Sequence, residues 1–551
     1  MRNNEAVYRG YVHPPEKVNW SSQDDVKNNL VSVEYSDRKK TEKGGLPIIS
    51  DGRRAEVDTS DSHCIIYGAS GFKKSICVFM PLICTLAKAG ENMFITDPKG
   101  ELYRRTGNYL KQCGYRIRVL NFHDYNAEGY NPLSYPAKLY KNGEIDKATS
   151  VSSNLVATLA QEQLENAKVD PFWPNTATAA NNGILPLMYS SYPNLDSINF
   201  ISLANYYEEQ TAEYLREFVN QESDLANAAM SNLRTVLAEP EKTRMSTLST
   251  CSSFIQKFIQ SDHLSRMLSH STFELEELTE PKTAFYIITD DSSTVCDSIV
   301  GILISQTQNI LIDKAFHSKK DRLDTRVNFV LDEFCSFPVP NMATALATHR
   351  SRNIRYYICV QALDLLEKRY PNYKNMMTNC ATTLFLGSTE SELLEMISKR
   401  CGTTKITMSG HEEPLISVPE LMTLRKDWYS KEAIYLNLAT GTRYCTTLPS
   451  IEKYEDFCNY GEAELPDIEH PPVKYYSFVN LLQDISEGKA NRPFHTMPKA
   501  KPKSENDNKR MTHKSKVKKS SDDILDEDIR RELEAQFDEL FGAFEDEEEN
   551  N

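Results

Sequence analysis

The chain has 551 residues, 40% of them apolar, and a formal net charge of −15. That length exceeds what one hydrophobic core usually supports, and the acidic balance excludes a protein that holds nucleic acid by its overall charge. Twelve cysteines contain no C-x-x-C pair and no His-Cys cluster at metal spacing, which argues against a disulfide framework or a zinc site and for the reduced thiols of a cytosolic protein.

Residues 1–45 are polar, with few apolar positions in register, and read as a lead-in. From 63 the chain alternates short apolar strands with helices: HCIIYG, a helix through VFMPLICTLAKAG, NMFITD at 92–97, a further helix, and YRIRVLNF at 115–122. The same pattern returns in AFYIIT (284–289), NFVLDE (328–333), RYYICV (355–360), TLFLG (383–387) and AIYLNL (433–438). Nearly continuous apolar strands separated by helices predict an α/β fold with a mostly parallel sheet covered on both faces. Residues 46–137 and 281–490 then form two parts of one domain. Between them, 138–280 has helix-periodic segments such as SLANYYEEQTAEYLREFVNQ and no convincing strand, and reads as an inserted all-helical domain.

After the second part comes a basic linker, 491–521, rich in Pro, Lys, Ser and Asn; residues 499–519 carry nine Lys or Arg against two acids. An acidic amphipathic helix and tail, 522–551, follows, with Ile529, Leu533, Phe537, Leu540, Phe541 and Phe544 at spacings of three and four. Such a stripe either packs back on the chain's own core or docks in a partner's groove. No window approaches the roughly 18 to 20 apolar residues of a membrane span, and the first residues have no signal-peptide core. A soluble protein is expected, or one held at a membrane by another subunit.

The segment HCIIYGASGFKKSICVF at 63–79 places a strand, a glycine-containing loop ending in Lys-Ser and a helix in the order a phosphate-binding loop requires. Against G-x-x-x-x-G-K-[ST], Gly68 opens the loop, Ala69, Ser70, Gly71 and Phe72 fill it, Lys74 is the phosphate-contacting lysine and Ser75 the magnesium-binding hydroxyl. The second glycine is missing and Lys73 stands there, where a close phosphate approach favours glycine. The extra lysine either adds a phosphate contact or obstructs the loop. NFVLDEF at 328–334 supplies the matching pair: a hydrophobic strand running into Asp332, for the magnesium shell, and Glu333, for the attacking water. Alone, such a pair also marks an ordinary strand followed by a solvated acidic turn.

Several further strings carry a family resemblance. ITDPKGELY at 95–103, YNPLSYP at 130–136, DPFWPNTA at 170–177 and ATHRSRNIRYYICVQAL at 347–363 follow one another in the order found in the coupling proteins of type IV secretion and conjugation. The chain resembles those TraG-type ATPases, relatives of the FtsK/HerA motors, over about residues 60–450. The resemblance implies a RecA-like P-loop nucleotide-binding domain and a homo-hexameric ring that hydrolyses ATP with Mg2+. It also implies partners: relaxase-bound DNA in single-stranded form, the relaxosome, and type IV secretion channel subunits. By motif position Gln361 resembles the residue that senses the terminal phosphate, and Arg350 the arginine supplied to a neighbouring subunit, with Arg352 and Arg355 as competitors.

Family members usually begin with transmembrane helices and this sequence shows none. The expectation is therefore a cytoplasmic protein, peripheral at the inner face of the membrane through a separate anchor. The alternative is a catalytically weakened P-loop adaptor that binds relaxase or effector proteins without efficient turnover. A cytosolic DNA translocase without a secretion partner is a third reading.

Overall fold

The computed structural model describes residues 18–35, 41–165, 168–222, 227–290, 292–405 and 412–494. The basic stretch 499–519 and the amphipathic stripe from Ile529 to Phe544 lie outside the described residues.

Three strands, β1 (Val31–Glu34), β2 (Leu46–Ser50) and β3 (Arg54–Asp58), form a small antiparallel sheet in the order β1-β3-β2. A nine-stranded sheet follows. Its strands are β4 (Cys64–Gly68), β5 (Asn92–Asp97), β6 (Arg116–Asn121), β7 (Thr283–Ile288), β8 (Val327–Leu331), β9 (Ile354–Val360) and β10 (Thr382–Gly387), and then two more near its edge. After a short hairpin of β11 (Thr403–Lys405) and β12 (Glu412–Pro414), β13 (Ser430–Asn437) and β14 (Thr442–Pro449) return to the large sheet. Its order is β14-β13-β10-β4-β9-β8-β5-β7-β6, parallel from β10 to β6, with β13 and β14 antiparallel at one edge.

The two-residue period of each strand divides its side chains between two apolar layers. Ile65, Phe94, Phe285, Phe329, Tyr356 and Phe385 face one layer, and Ile66, Ile95, Tyr286, Val330, Tyr357 and Leu384 the other. In the first layer Phe329 stacks on Tyr356 with ring centres 4.8 Å apart, a contact worth roughly 0.5–1.5 kcal/mol beyond its buried area. That layer also takes in the helices Ile145–Leu164, Phe172–Ser191 and Asp297–His317. The second layer is closed by the helices Met80–Ala89 and Glu101–Gln112 and by the small sheet. Between β6 and β7, every described element from Ser134–Lys141 to the 3-10 turn Leu275–Thr279 is helical.

Beyond the unanticipated strands β2, β3, β11 and β12, two features differ from the sequence expectation. Within the stretch read as a polar lead-in, the helix Gln23–Asn28 and β1 form, because Val26 and Val33 are buried although their neighbours face solvent. The other is β14: only part of it is buried, so Arg443 and Tyr444 interrupt any apolar run that could mark a strand in the sequence.

Candidate functional site

The candidate phosphate loop is built between β4 and the helix Met80–Ala89, through a π-helical turn at Ser75–Phe79. Gly387, at the end of β10 with φ +140°, seats the loop: its carbonyl accepts from the Ala69 N–H at 3.2 Å. Any Cβ there would stand 2.3 Å from the Phe72 ring, so glycine is what lets that ring lie against the strand end. The Lys74 ammonium donates to the carbonyls of Gly68 at 3.1 Å and Ala69 at 3.4 Å, folded back over the loop's own opening.

Lys73 has φ +58°, which is the physical reason glycine is usual at that position. Its ammonium donates to the Trp428 carbonyl at 2.8 Å. Lys426 crosses the other way and donates to the Gly71 carbonyl at 2.7 Å. The loop before β13 is thus tied to the phosphate loop from both sides.

One cleft of about 250 Å³ is lined by Ser70, Gly71, Phe72, Lys73, Lys74 and Ser75 together with Asp332, Glu333 and Gln361. These come from the carboxyl ends of β4, β8 and β9, the edge at which open α/β sheets bind ligands. Thr96 donates to the Asp332 carbonyl at 2.8 Å, and the Gln361 amide donates to the Glu333 carboxylate at 3.2 Å. Glu333 has φ +53°, a left-handed conformation that a non-glycine residue adopts at a cost of about 1–2 kcal/mol. Such strain collects where a side chain must be aimed.

Burial pushes the Asp332 carboxyl up to about 6, with Lys74 opposing and Glu333 adding to the shift. Together with the Ser75 hydroxyl the Asp332 carboxyl offers the hard oxygen donors that suit magnesium, so the residues fit the ion.

The same cleft contains Asp97, Pro98, Lys99 and Glu101, which in the sequence stand out only as part of a family string. Asp97 ends β5 beside β8 and accepts from the Tyr103 N–H at 2.8 Å. Burial raises its carboxyl to about 6. The signal that could have found it is positional, an Asp at the carboxyl end of an apolar strand.

Arg350 does not join this group. It is exposed, on the turn His349–Arg352 that precedes β9, whereas Gln361 follows β9. Seven residues of strand separate the two, about 23 Å at 3.3 Å per residue. Arg352 donates to the Asp321 carbonyl at 2.7 Å. Arg355 is 1% exposed and buried against Asp58 and the Tyr357 ring, which leaves it no reach toward a neighbouring molecule.

Among the described residues no helix is long and apolar enough to cross a membrane. Comparison with solved structures finds the plasmid coupling protein TrwB with the non-hydrolysable ATP analogue ADPNP, at 14% identity and a TM-score of 0.56, covering 84% of this chain and 100% of that one. The bacterial conjugative coupling protein TrwBdeltaN70 in a trigonal form with sulphate gives 13% identity and 0.58, over 83% and 99%. TrwB with ADP and Mg2+ gives 14% and 0.56, over 82% and 96%. At such identities the likeness establishes the RecA-like α/β fold alone. No curated protein matches the chain by sequence. The profile of the family described as type IV secretory system conjugative DNA transfer matches residues 19–415, and the chain belongs to that family.

Proposed function

We propose that the chain is an ATP-driven coupling motor that receives relaxase-bound DNA and delivers it to a type IV secretion channel. The observation that carries this reading is the shared cleft: Lys74 and Ser75 line it with Asp332 and Glu333, although 258 positions separate Lys74 from Asp332. Family membership and the solved TrwB complexes with ADPNP and with ADP and Mg2+ support it.

In this reading the backbone amides of Ser70, Gly71 and Lys73 and the Lys74 ammonium hold the phosphates. Ser75 and Asp332 would hold magnesium, which would supply positive charge to the phosphates. Glu333 orients a water and takes its proton, and Gln361 holds Glu333 while contacting the terminal phosphate. Arg350 completes the site of the next subunit in a homo-hexameric ring, where its charge stabilises the transferring phosphoryl group. The helical stretch 138–280 and the tail receive relaxase and DNA, and the α/β part drives. A separate membrane partner holds the ring at the inner face of the membrane.

The test is ATP turnover with and without single-stranded DNA for the wild type, Lys74→Ala and Glu333→Gln. Turnover stimulated by DNA, lost nucleotide binding in the first variant and retained nucleotide in the second are expected. A wild type with no DNA-stimulated turnover under conditions that support assembly refutes the motor.

The left-handed Lys73 is the one observation behind a second reading, an adaptor with weakened turnover. Lys73→Gly separates the two. A rise of orders of magnitude from near zero supports the adaptor, and a change of less than about tenfold, the expected result, means the loop is already competent.

A further inference from the structure

The direction of the sheet gives a bound nucleotide a heading. Asp332, Glu333 and Gln361 follow β8 and β9, which lie on one side of β4, and β10 and β13 lie on the other. Because β13 runs antiparallel to β10, the loop that leads into it stands at the same sheet edge as the phosphate loop. Residues 424–429 thus lie across the phosphate loop from Asp332, on the side left for the ribose and base of a nucleotide whose terminal phosphate is at Asp332.

That loop is braced before any ligand arrives. The Asp427 carboxylate accepts from the N–H groups of Tyr429 and Ser430 and from the Ser430 hydroxyl, each at 2.7 Å. The buried Lys431 donates to the carbonyls of Leu424 and Arg425, and the Lys453 ammonium lies 4.5 Å from the centre of the Tyr429 ring. The crossed lysines described above fix the Trp428 backbone beside the phosphate loop. The braced loop nevertheless holds two aromatic rings in solvent, Trp428 at 88% exposure and Tyr429 at 56%. Two adjacent exposed aromatic rings on an ordered element form a surface that can receive another molecule.

We propose that Trp428, with Tyr429 beside it, is a stacking platform for the purine base of the nucleotide held at the phosphate loop, and that Lys73 is its positioning residue. The proposal rests on the reading of the cleft as an ATP site. An indole face accepts any base through its π surface without base-specific hydrogen bonds. The lysine at the glycine position thereby acquires a role, because its ammonium anchors the platform's backbone instead of entering the phosphate seat.

The test measures binding of MgADP and of magnesium tripolyphosphate, which lacks a base, to full-length wild type, Trp428→Ala and Trp428→Phe by calorimetry. The exposed position of Trp428 makes either variant safe for folding. The alanine variant is expected to weaken MgADP roughly tenfold, as loss of one base-stacking partner does, and to leave tripolyphosphate as in wild type. The phenylalanine variant keeps most of the MgADP affinity. Trp428 is the most exposed of the three tryptophans, so MgADP quenches wild-type fluorescence and tripolyphosphate does not. Unchanged MgADP affinity in Trp428→Ala overturns the platform, whether or not subunit assembly changes, and so does a parallel loss of both ligands. In those cases the phosphate site stands. A wild type that binds neither ligand refutes the ATP reading itself, and the platform with it.

Discussion

Lys73 and Asp332 each bear on what the cleft can do. Lysine at φ +58° carries about 1–2 kcal/mol of left-handed strain, and its exposed hydrogen bond to Trp428 returns about 0.5–1 kcal/mol. Lys73→Gly removes both, so its stability stays within about 1 kcal/mol of wild type, whereas Lys73→Ala keeps the strain, loses the bond and is the less stable of the two. Thermal unfolding of the pair checks the order. Asp332 and Asp97 are both raised to about 6 by burial, and for Asp332 folding and magnesium binding carry opposite pH signs. A carboxyl raised in the folded state stabilises it below the unfolded value of about 3.9, and that contribution is lost as pH rises through 6. Magnesium needs the carboxylate, so MgADP affinity rises over the same interval, by up to about tenfold per unit for each proton released. Between pH 4 and 7 calorimetry should therefore show MgADP tightening, while the share of folding stability that these two carboxyls contribute falls; buried His63 and His349, held neutral with values lowered to about 3 and about 4, contribute with the opposite sign. A flat binding profile would count against Asp332 as a magnesium group. The Lys-Ser and Asp-Glu pairs are legible in the sequence because each is a local string on an apolar strand. The Lys73–Trp428 bond is not, because a lysine meeting a backbone carbonyl 355 positions away leaves no pattern.

At the scale of the element, β9 joins the small sheet to the nucleotide cleft. Arg355 near its start donates to the carbonyls of Ser62 at 2.8 Å and Asp58 at 3.1 Å and pairs with the Asp58 carboxylate at 3.6 Å, while Gln361 follows its end. Burial pushes the Asp58 carboxyl up, yet the Arg355 guanidinium, Ser60 and the Tyr435 hydroxyl hold it below its ordinary value. The pair thus contributes stability above the unfolded carboxyl value, lost as pH falls through the lower folded one. Arg355→Met leaves a buried charge without its partner and is expected to cost about 3–5 kcal/mol in denaturant unfolding, with much of that recovered by adding Asp58→Asn. If Arg355→Met unfolds like wild type, the pair is not what joins the two sheets. In the sequence Arg355 rivals Arg350, since a basic cluster before a strand does not say which side chain turns inward. The central strands are legible because burial on both faces makes them uninterrupted apolar runs; β1 and β14, buried only in part, look polar until their partners are known.

For the whole molecule, the position of Arg350 makes a ring testable without a structure of one. It sits about 23 Å of strand away from Gln361, beyond any arginine's reach, so a catalytic role for it requires another subunit. Head-to-tail contacts that close on themselves give each subunit one donor face and one acceptor face. Arg350→Ala damages the donor face and Lys74→Ala the acceptor face. Each variant alone is expected to lose at least about a thousandfold in turnover, the lower range for an arginine supplied in trans. In an equal mixture, roughly a quarter of the interfaces pair an intact phosphate loop with an intact arginine, so a corresponding share of wild-type turnover should return. If the mixture is no more active than its components, Arg350 does not act across an interface. If Arg352→Ala complements Lys74→Ala where Arg350→Ala does not, the trans arginine is its neighbour on the same turn. Either result leaves the shared cleft intact and relocates only the residue that completes it.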